Sequence, residues 1–417
     1  MVWKELAHAS YSFRQAACDA FADHGEQIGS HGCAPVKKVL VVAGTRPEAI
    51  KMAPVFFALR ESSVVQPIFL ATGQHREILH QALGVFGITP DHDLAVMQDN
   101  QSLDALTGRV ITAVSGFLRL GDYAAMLVQG DTTTVLASAL AAFYAGIPLG
   151  HVEAGLRTHD MAAPWPEEMN RRLTSPLARW NFAPTRTGFD NLVAEGIPAE
   201  RCHITGNTVI DALHLALALP NLSSDAERLN RLRIRDDFLL ESESGPHPLV
   251  LVTSHRRESF GQGLESVCRA ILAVADAFPR VRVVYPVHSN PLVREPVLRL
   301  LGNHSSIALI EPCDYTDFVW LMKSCRFVLS DSGGVQEEAP GLGKPVLVLR
   351  SVTERPEGVT AGTCRLVGTD ASTILREASV LLNDEVEYAK RSAIRNPYGD
   401  GKAAGRIRAV IDQHFAN

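Results

Sequence analysis

The chain contains no CxxC pair. Its seven cysteines, Cys18, Cys33, Cys202, Cys268, Cys313, Cys325 and Cys364, are odd in number and widely scattered, so their spacing supports neither a disulfide framework nor a zinc site. Basic charge is not in excess: 40 Lys plus Arg stand against 46 Asp plus Glu, a net of -6. That excludes the positive field a nucleic-acid polymer requires. Aromatic residues make up 6%, which suits Ala/Val/Leu packing of helices on parallel sheets better than a base-stacking platform. Charged residues from Lys4 to Glu26 leave no apolar signal core at the start. One stretch, 132–152, runs 21 residues without Asp, Glu, Lys or Arg, long enough for a membrane span. Gly146 and Pro148 divide it into a helix and a short strand instead. The chain has no GxGxxG after its first strand, no P-loop spacing, no HExxH and no clustered metal ligands. The expectation is a cytoplasmic enzyme of a reducing compartment with no cofactor, no metal, no membrane partner and no nucleic-acid polymer.

What is present is alternation. With 46% hydrophobic and 21% charged residues the composition is that of a globular protein, and 417 residues at ~150 per domain hold two to three domains. Residues 1–36 read as an appended extension with one helix at 5–21. KKVLVVAGT (37–45) is a β-rich run ended by glycine, and 46–60 has helical spacing at Ile50, Ala53 and Phe57. Apolar strand runs and helices then alternate through 152. A polar stretch at 220–248 reads as a boundary, and a second alternation starts at 249 and runs to 349. Short βα connections of this kind predict parallel sheets covered on both faces. The expected fold is α/β: two doubly wound Rossmann-like domains in tandem with the active site in the cleft between them. The divisions are 37–215, a boundary at 216–247, 248–392, and a C-terminal helical segment at 393–417.

In such sheets ligands sit just beyond the carboxyl ends of the strands. DSGGVQEE (331–338) follows an apolar strand and opens a helix, where Ser332, Gly333 and Gly334 allow a phosphate to approach backbone N–H groups. A plain βα turn capped by Ser332 is the competing reading. Glu338, one to two turns on, is placed to accept hydrogen bonds from a ribose diol; a solvated helix glutamate is the alternative. Pro47 suits the first helical position, which puts Arg46 near the N-cap and, with Lys51, at the cleft. An arginine at a positive helix end calls for an anion such as a diphosphate, or else for an ordinary ion pair. Asp131 and Glu153 each follow a strand, and Glu167 lies 14 residues later. Carboxylates sharing a cleft raise one another's pKa, as proton transfer near neutrality requires; caps or pairs with Arg157, Arg171 or Arg172 are the structural alternative. His255, in SHRRESFG, is suited to protonate or bond a leaving phosphate oxygen beside Arg256 and Arg257.

Together GTRPEAIKMAP, TGQHRE, VQGDTTT, HVEAGLRT, PWPEEMNRR, ITGNTVIDAL, TSHRRESFG, YPVHSNP, SDSGGVQEEAP and LGKPVLVLR with TERPE resemble the non-hydrolysing UDP-N-acetylglucosamine 2-epimerases. The likeness runs in family order from about residue 38 to near 410 and leaves the N-terminal extension outside. The resemblance implies the GT-B architecture, a homodimer, a C-terminal helix crossing back to the first domain, and interconversion of UDP-GlcNAc and UDP-ManNAc without nicotinamide. It implies acid/base roles for Asp131, Glu153 and Glu167, and for His255 a place by the diphosphate, assisting UDP departure. It implies UDP-sugar binding by Arg46, Lys51, Ser332, Gly333, Gly334 and Glu338, with Arg257 and Phe318 as further candidates. Some relatives take a second UDP-GlcNAc as an activator, which points to Gln74; here Asn100 stands where an arginine is expected for that contact. Open alternatives are a 2-epimerase of a more decorated UDP-sugar, such as a 2,3-diacetamido uronic acid, a GT-B glycosyltransferase, and a catalytically silent nucleotide-sugar binding protein.

Overall fold

The computed structural model describes residues 36–416 apart from 74–75, 99–100, 220–223, 236–237, 240–246, 255 and 257–259. The expected helix at 5–21, Gln74, Asn100, His255 and Arg257 lie outside the described residues.

The first apolar run forms strand β1 (Lys37–Ala43). Both of its faces are covered: Val39, Val41 and Ala43 pack with Phe69 and Leu127, while Leu40 and Val42 pack with Met126 and Val114. This two-sided burial explains a continuous rather than alternating hydrophobic pattern. Gly44 ends the strand where a Cβ would fall 2.5 Å from Thr72 Oγ1. The helix Arg46–Arg60 follows at once, with Thr45 as N-cap in a capping box with Glu48. The helix thus begins one residue earlier than Pro47 alone suggested, with Arg46 in its first position, because the Thr45 and Glu48 pairing sets the start.

Strands β2 (Val65–Ala71), β3 (His92–Asp93), β4 (Ala125–Gln129), β5 (Leu149–Val152), β6 (Trp180–Ala183) and β7 (Cys202–Ile204) complete a seven-stranded parallel sheet in the order β3-β2-β1-β4-β5-β6-β7. The stretch at 132–152 resolves into helix Thr133–Tyr144 and β5, and no helix among the described residues is long and apolar enough to cross a membrane. The second sheet is parallel as well, with strands β8 (Leu249–Thr253), β9 (Arg282–Pro286), β10 (Ile307–Ile310), β11 (Phe327–Ser330), β12 (Val346–Val348) and β13 (Cys364–Leu366) ordered β10-β9-β8-β11-β12-β13. The expected fold of two doubly wound α/β domains is the fold observed. Strands β3, β6, β7 and β13 went unread in the sequence because HD, WNFA, CHI and CRL are two to four residues long and carry polar side chains.

In each sheet the order in which strands are added reverses between the first and fourth strands, β1/β4 and β8/β11, and a crevice opens at such a switch point. The two crevices face one another. The last helix, Ala403–Ala416, returns to the first sheet's layer: Ser62 Oγ donates to Asp412 at 2.6 Å, Arg408 reaches Glu61 at 2.9 Å, and the Ala404 N–H donates to Asp211 at 2.9 Å.

Candidate active site

The cleft between the sheets has a volume of about 570 Å³ and receives the loops that leave β1, β4 and β5 on one wall and β8, β9 and β11 on the other. Arg46, Lys51, Asp131, Glu153, Glu167, Phe318, Ser332, Gly333, Gly334 and Glu338 all line it. Residues up to 292 positions apart in sequence therefore meet in one space.

The turn carrying Asp131 is held from two sides. His151, fully buried, donates from Nε2 to the Gly130 carbonyl at 2.7 Å, and Asn170 donates to the Asp131 carbonyl at 2.9 Å. Burial pushes the His151 pKa down to about 4, so the ring is neutral and fixed as the Nε2–H tautomer. Gly130 has φ of 84°, which glycine adopts without strain. The Asp131 side chain is 29% exposed and pairs with Arg171 at 3.1 Å. Burial raises its carboxyl pKa, against the pull of Arg171 and with added repulsion from Glu153 and Glu167. Glu153 differs in kind. It sits at φ of 64°, a region that costs a side-chain-bearing residue energy. Lys51 Nζ and Gln129 Nε2 each lie 2.5 Å from its Oε2, and Arg355 lies 3.9 Å from Oε1. Burial works to raise the Glu153 pKa, but the charges of Lys51 and Arg355 outweigh it and hold the carboxyl below its ordinary range. Lys51 is correspondingly held above its ordinary value by Glu153 and Glu337, in spite of burial.

Glu167 and Glu168 are neighbours with separate tasks. Glu168 is fully buried and accepts the N–H groups of Thr158 and His159 at 3.1 and 3.2 Å. Glu167, the first residue of helix Glu167–Leu177, is the one that lines the cleft.

On the opposite wall helix Gly333–Gly341 starts behind Ser332 without a side-chain cap, so its first N–H groups point into the cleft. A Cβ on Gly333 would lie 2.4 Å from Arg355 Nη1, which leaves glycine as the residue that fits. Glu338 is 7% exposed, not a solvated helix residue, and burial pushes its pKa up to about 7. Tyr315 donates its hydroxyl to Glu338 Oε1 at 2.7 Å. Asp331 fixes the loop on either side of position 255, accepting from Ser254 Oγ and from the Arg256 N–H, both at 2.9 Å.

Sequence reasoning assigned no role to Arg355, Glu337, Glu354, Gln129 or Glu48. Arg355 joins Glu337 at 2.6 Å and Glu354 at 2.8 Å, and Glu337 accepts from Asn207 of the first half at 2.8 Å. The charges of Arg355, Arg350 and Arg256 bring the Glu354 pKa down to about 2, although burial opposes them. One signal for Arg355 was legible: Arg-Pro-Glu occurs at 46–48 and again at 355–357, each time beginning a helix at the cleft.

Two doubly wound domains that face one another across a charged cleft define an α/β protein of the GT-B type. Residues 57–412 match the UDP-N-acetylglucosamine 2-epimerase family, and the chain belongs to that family. It is 52% identical to the UDP-N-acetylglucosamine 2-epimerase of Escherichia coli K12 over 374 residues, 90% of this chain and 98% of that one. It is also 52% identical to the enzyme of the same name from Salmonella typhimurium over 377 residues, 90% and 99% of the two chains. The crystal structure of UDP-GlcNAc 2-epimerase from Neisseria meningitidis bound to UDP-GlcNAc superposes with a TM-score of 0.82 at 44% identity, covering 91% of this chain and all of that one.

Proposed function

We propose that this chain interconverts UDP-N-acetylglucosamine and UDP-N-acetylmannosamine. The observation that carries the reading is the division of labour across one cleft. Asp131, Glu153 and Glu167 with Lys51 stand on one wall, and an uncapped helix start with Glu338 stands on the other. In the proposed reaction the C2 proton leaves to a carboxylate while the C1–O electron pair departs with UDP, giving 2-acetamidoglucal by anti elimination. A proton then returns to C2 from the other face and the UDP oxygen re-adds to C1. A C2 hydrogen beside an acetal carbon is weakly acidic, so C1–O cleavage runs ahead and positive charge builds at the ring.

The paired Glu153 carboxylate suits stabilisation of that charge, and the raised pKa of Asp131 suits proton transfer. Glu167 is the third acid/base carboxylate in this scheme. Arg46, Lys51, Ser332, Gly333 and Gly334 hold the diphosphate, His255 assists UDP departure, and Glu338 takes the ribose; Arg257 and Phe318 complete the UDP site. Closure of the two walls excludes water, which otherwise traps the cation. The nucleotide half is assigned to residues 248–392, with 216–247 as the boundary and 393–417 as the tie back to residues 37–215. The assignment includes a cytoplasmic homodimer that supplies N-acetylmannosamine units for surface polysaccharide, with Gln74 as a contact for an activating second UDP-GlcNAc.

Proton NMR of UDP-GlcNAc with the enzyme in deuterated water tests the chemistry. The expected result is UDP-ManNAc carrying deuterium at C2. Product that retains its C2 hydrogen, or a requirement for an acceptor, would overturn the reading.

A further inference from the structure

Tyr315 opens the helix Tyr315–Ser324 behind its cap Asp314. The start of that helix is fixed from below, because Asp317, 1% exposed, pairs with Arg228 at 2.8 Å and Arg231 at 2.6 Å. From this fixed point the phenol, 9% exposed, donates to Glu338 Oε1 at 2.7 Å. Glu338 Oε2 lies on the Gly334 side, where a Cβ on Gly334 would come within 3.8 Å of it. The Tyr315 ring also meets Phe86 of the first domain, with centroids 6.2 Å apart at 49°. Tyr315 therefore touches the carboxylate of one wall and the core of the other. Burial holds the phenol well above its ordinary pKa, so it stays a donor wherever the enzyme works.

We propose that Tyr315 is a positioning residue for nucleotide recognition. By occupying one oxygen of Glu338 it fixes the carboxylate with the other oxygen toward the cleft, poised to accept from the vicinal hydroxyls of a ribose, and through Phe86 it ties that pose to the packing of the first domain. The inference rests on the reading of the cleft as a UDP-sugar site. The physical reason is orientation: without this donor the carboxylate loses the hydrogen bond that fixes its plane and holds its proton more readily, and an acid that keeps its proton offers one acceptor fewer to a diol. Among the described residues, Tyr315 acts on Glu338 through its hydrogen bond, and Lys51, Glu337 and Arg46 act on it through their charges. Of these the tyrosine is the one that supplies a neutral hydrogen bond.

The test compares wild type, Tyr315→Phe and Phe86→Leu in steady-state epimerisation of UDP-GlcNAc, with UDP and 2′-deoxy-UDP as competing ligands. In Tyr315→Phe the expected result is a KM about tenfold higher, from loss of a hydrogen bond to a charged group, with kcat within about twofold. The preference for UDP over 2′-deoxy-UDP narrows by a similar factor, and the acid limb of the 1/KM profile moves to higher pH. Phe86→Leu keeps the hydroxyl and moves the same quantities less, in the same direction. A Tyr315→Phe enzyme with unchanged UDP over 2′-deoxy-UDP preference and unchanged 1/KM profile would overturn the proposal while leaving the epimerase reading intact. A wild-type protein that neither binds UDP nor epimerises UDP-GlcNAc would overturn the reading beneath it.

Discussion

Two helix starts face each other across the cleft, and they are finished in opposite ways. The start of Arg46–Arg60 is occupied by the protein's own carboxylate: Glu48 Oε2 accepts the N–H groups of Gly44 and Thr45 at 2.6 and 3.2 Å, while Oε1 accepts the Thr132 hydroxyl at 2.6 Å. The start of Gly333–Gly341 carries no side-chain cap, and two glycines keep it clear. A helix N-terminus is an anion site by default. The first domain has filled its own and turned that wall over to acids, whereas the second has left its own open. A doubly wound sheet repeated in tandem thus becomes two unlike walls through the choice of residue at one turn in each.

The largest expected effect tests the acid wall. Asp131→Asn removes the carboxyl proposed to transfer the proton without disturbing the open helix end, so the epimerisation rate followed by NMR should fall by ~10²–10⁴-fold while UDP affinity by calorimetry stays within a few-fold. An undiminished rate would remove Asp131 from the chemistry. Next is the buried pair. Lys51→Met leaves Glu153 with Gln129 and with the Arg355 guanidinium 3.9 Å from its other oxygen, and breaking such a buried pair costs up to about 3–5 kcal/mol, read as a lower denaturation midpoint. The same change lets the Glu153 carboxyl rise, which should move the acid limb of the rate profile to higher pH.

The comparison itself is sharpened by a matched pair of variants. Gly333→Ala places a methyl against the Arg355 guanidinium, and UDP affinity should fall about tenfold, a loss of about 1.4 kcal/mol. Glu48→Gln removes the negative charge at that helix start, should cost about 0.3–1 kcal/mol of stability, and should leave UDP affinity unchanged. Equal losses of UDP affinity in both would mean that the two helix ends are not functionally distinct.

The smallest effect concerns pH. The Glu338 pKa is about 7 in the folded protein, against about 4.3 in an unfolded chain. The stability contributed by its bound proton is therefore full below about 4.3 and is lost as pH rises through 7. On the proposed reading a ribose is taken by the ionised form, so UDP affinity should move the other way and tighten from pH 6 to pH 8. Glu338→Gln should flatten that profile in calorimetric titrations.

The limits of the sequence appear at particular residues. Strand β1, the helix Arg46–Arg60 and the glycine helix start at 333–334 were legible because apolar runs, 3.6-residue spacing and the small residues at a strand-to-helix junction are local signals. Glu167 lines the cleft as expected, but nothing local distinguishes it from Glu168; the difference comes from where the helix start points. Gln129 ends an apolar strand and reads as a strand residue until β4 and β5 are placed side by side. Arg355 lies 202 residues from Glu153, and a strand pattern carries no information about a partner that far away.

By itself the sequence determined the two runs of βα units, the polar strand exits and the residue types available there, because these depend on neighbours a few positions apart. Only the tertiary structure decided which carboxylate is paired and ionised, which is raised toward neutrality and which merely holds a loop. Those properties depend on burial and on distances between the ends of different strands, and strand order sets those distances. Lys51, Glu153 and Arg355 meet because β1, β5 and the loop after β12 end at the same edge of the cleft.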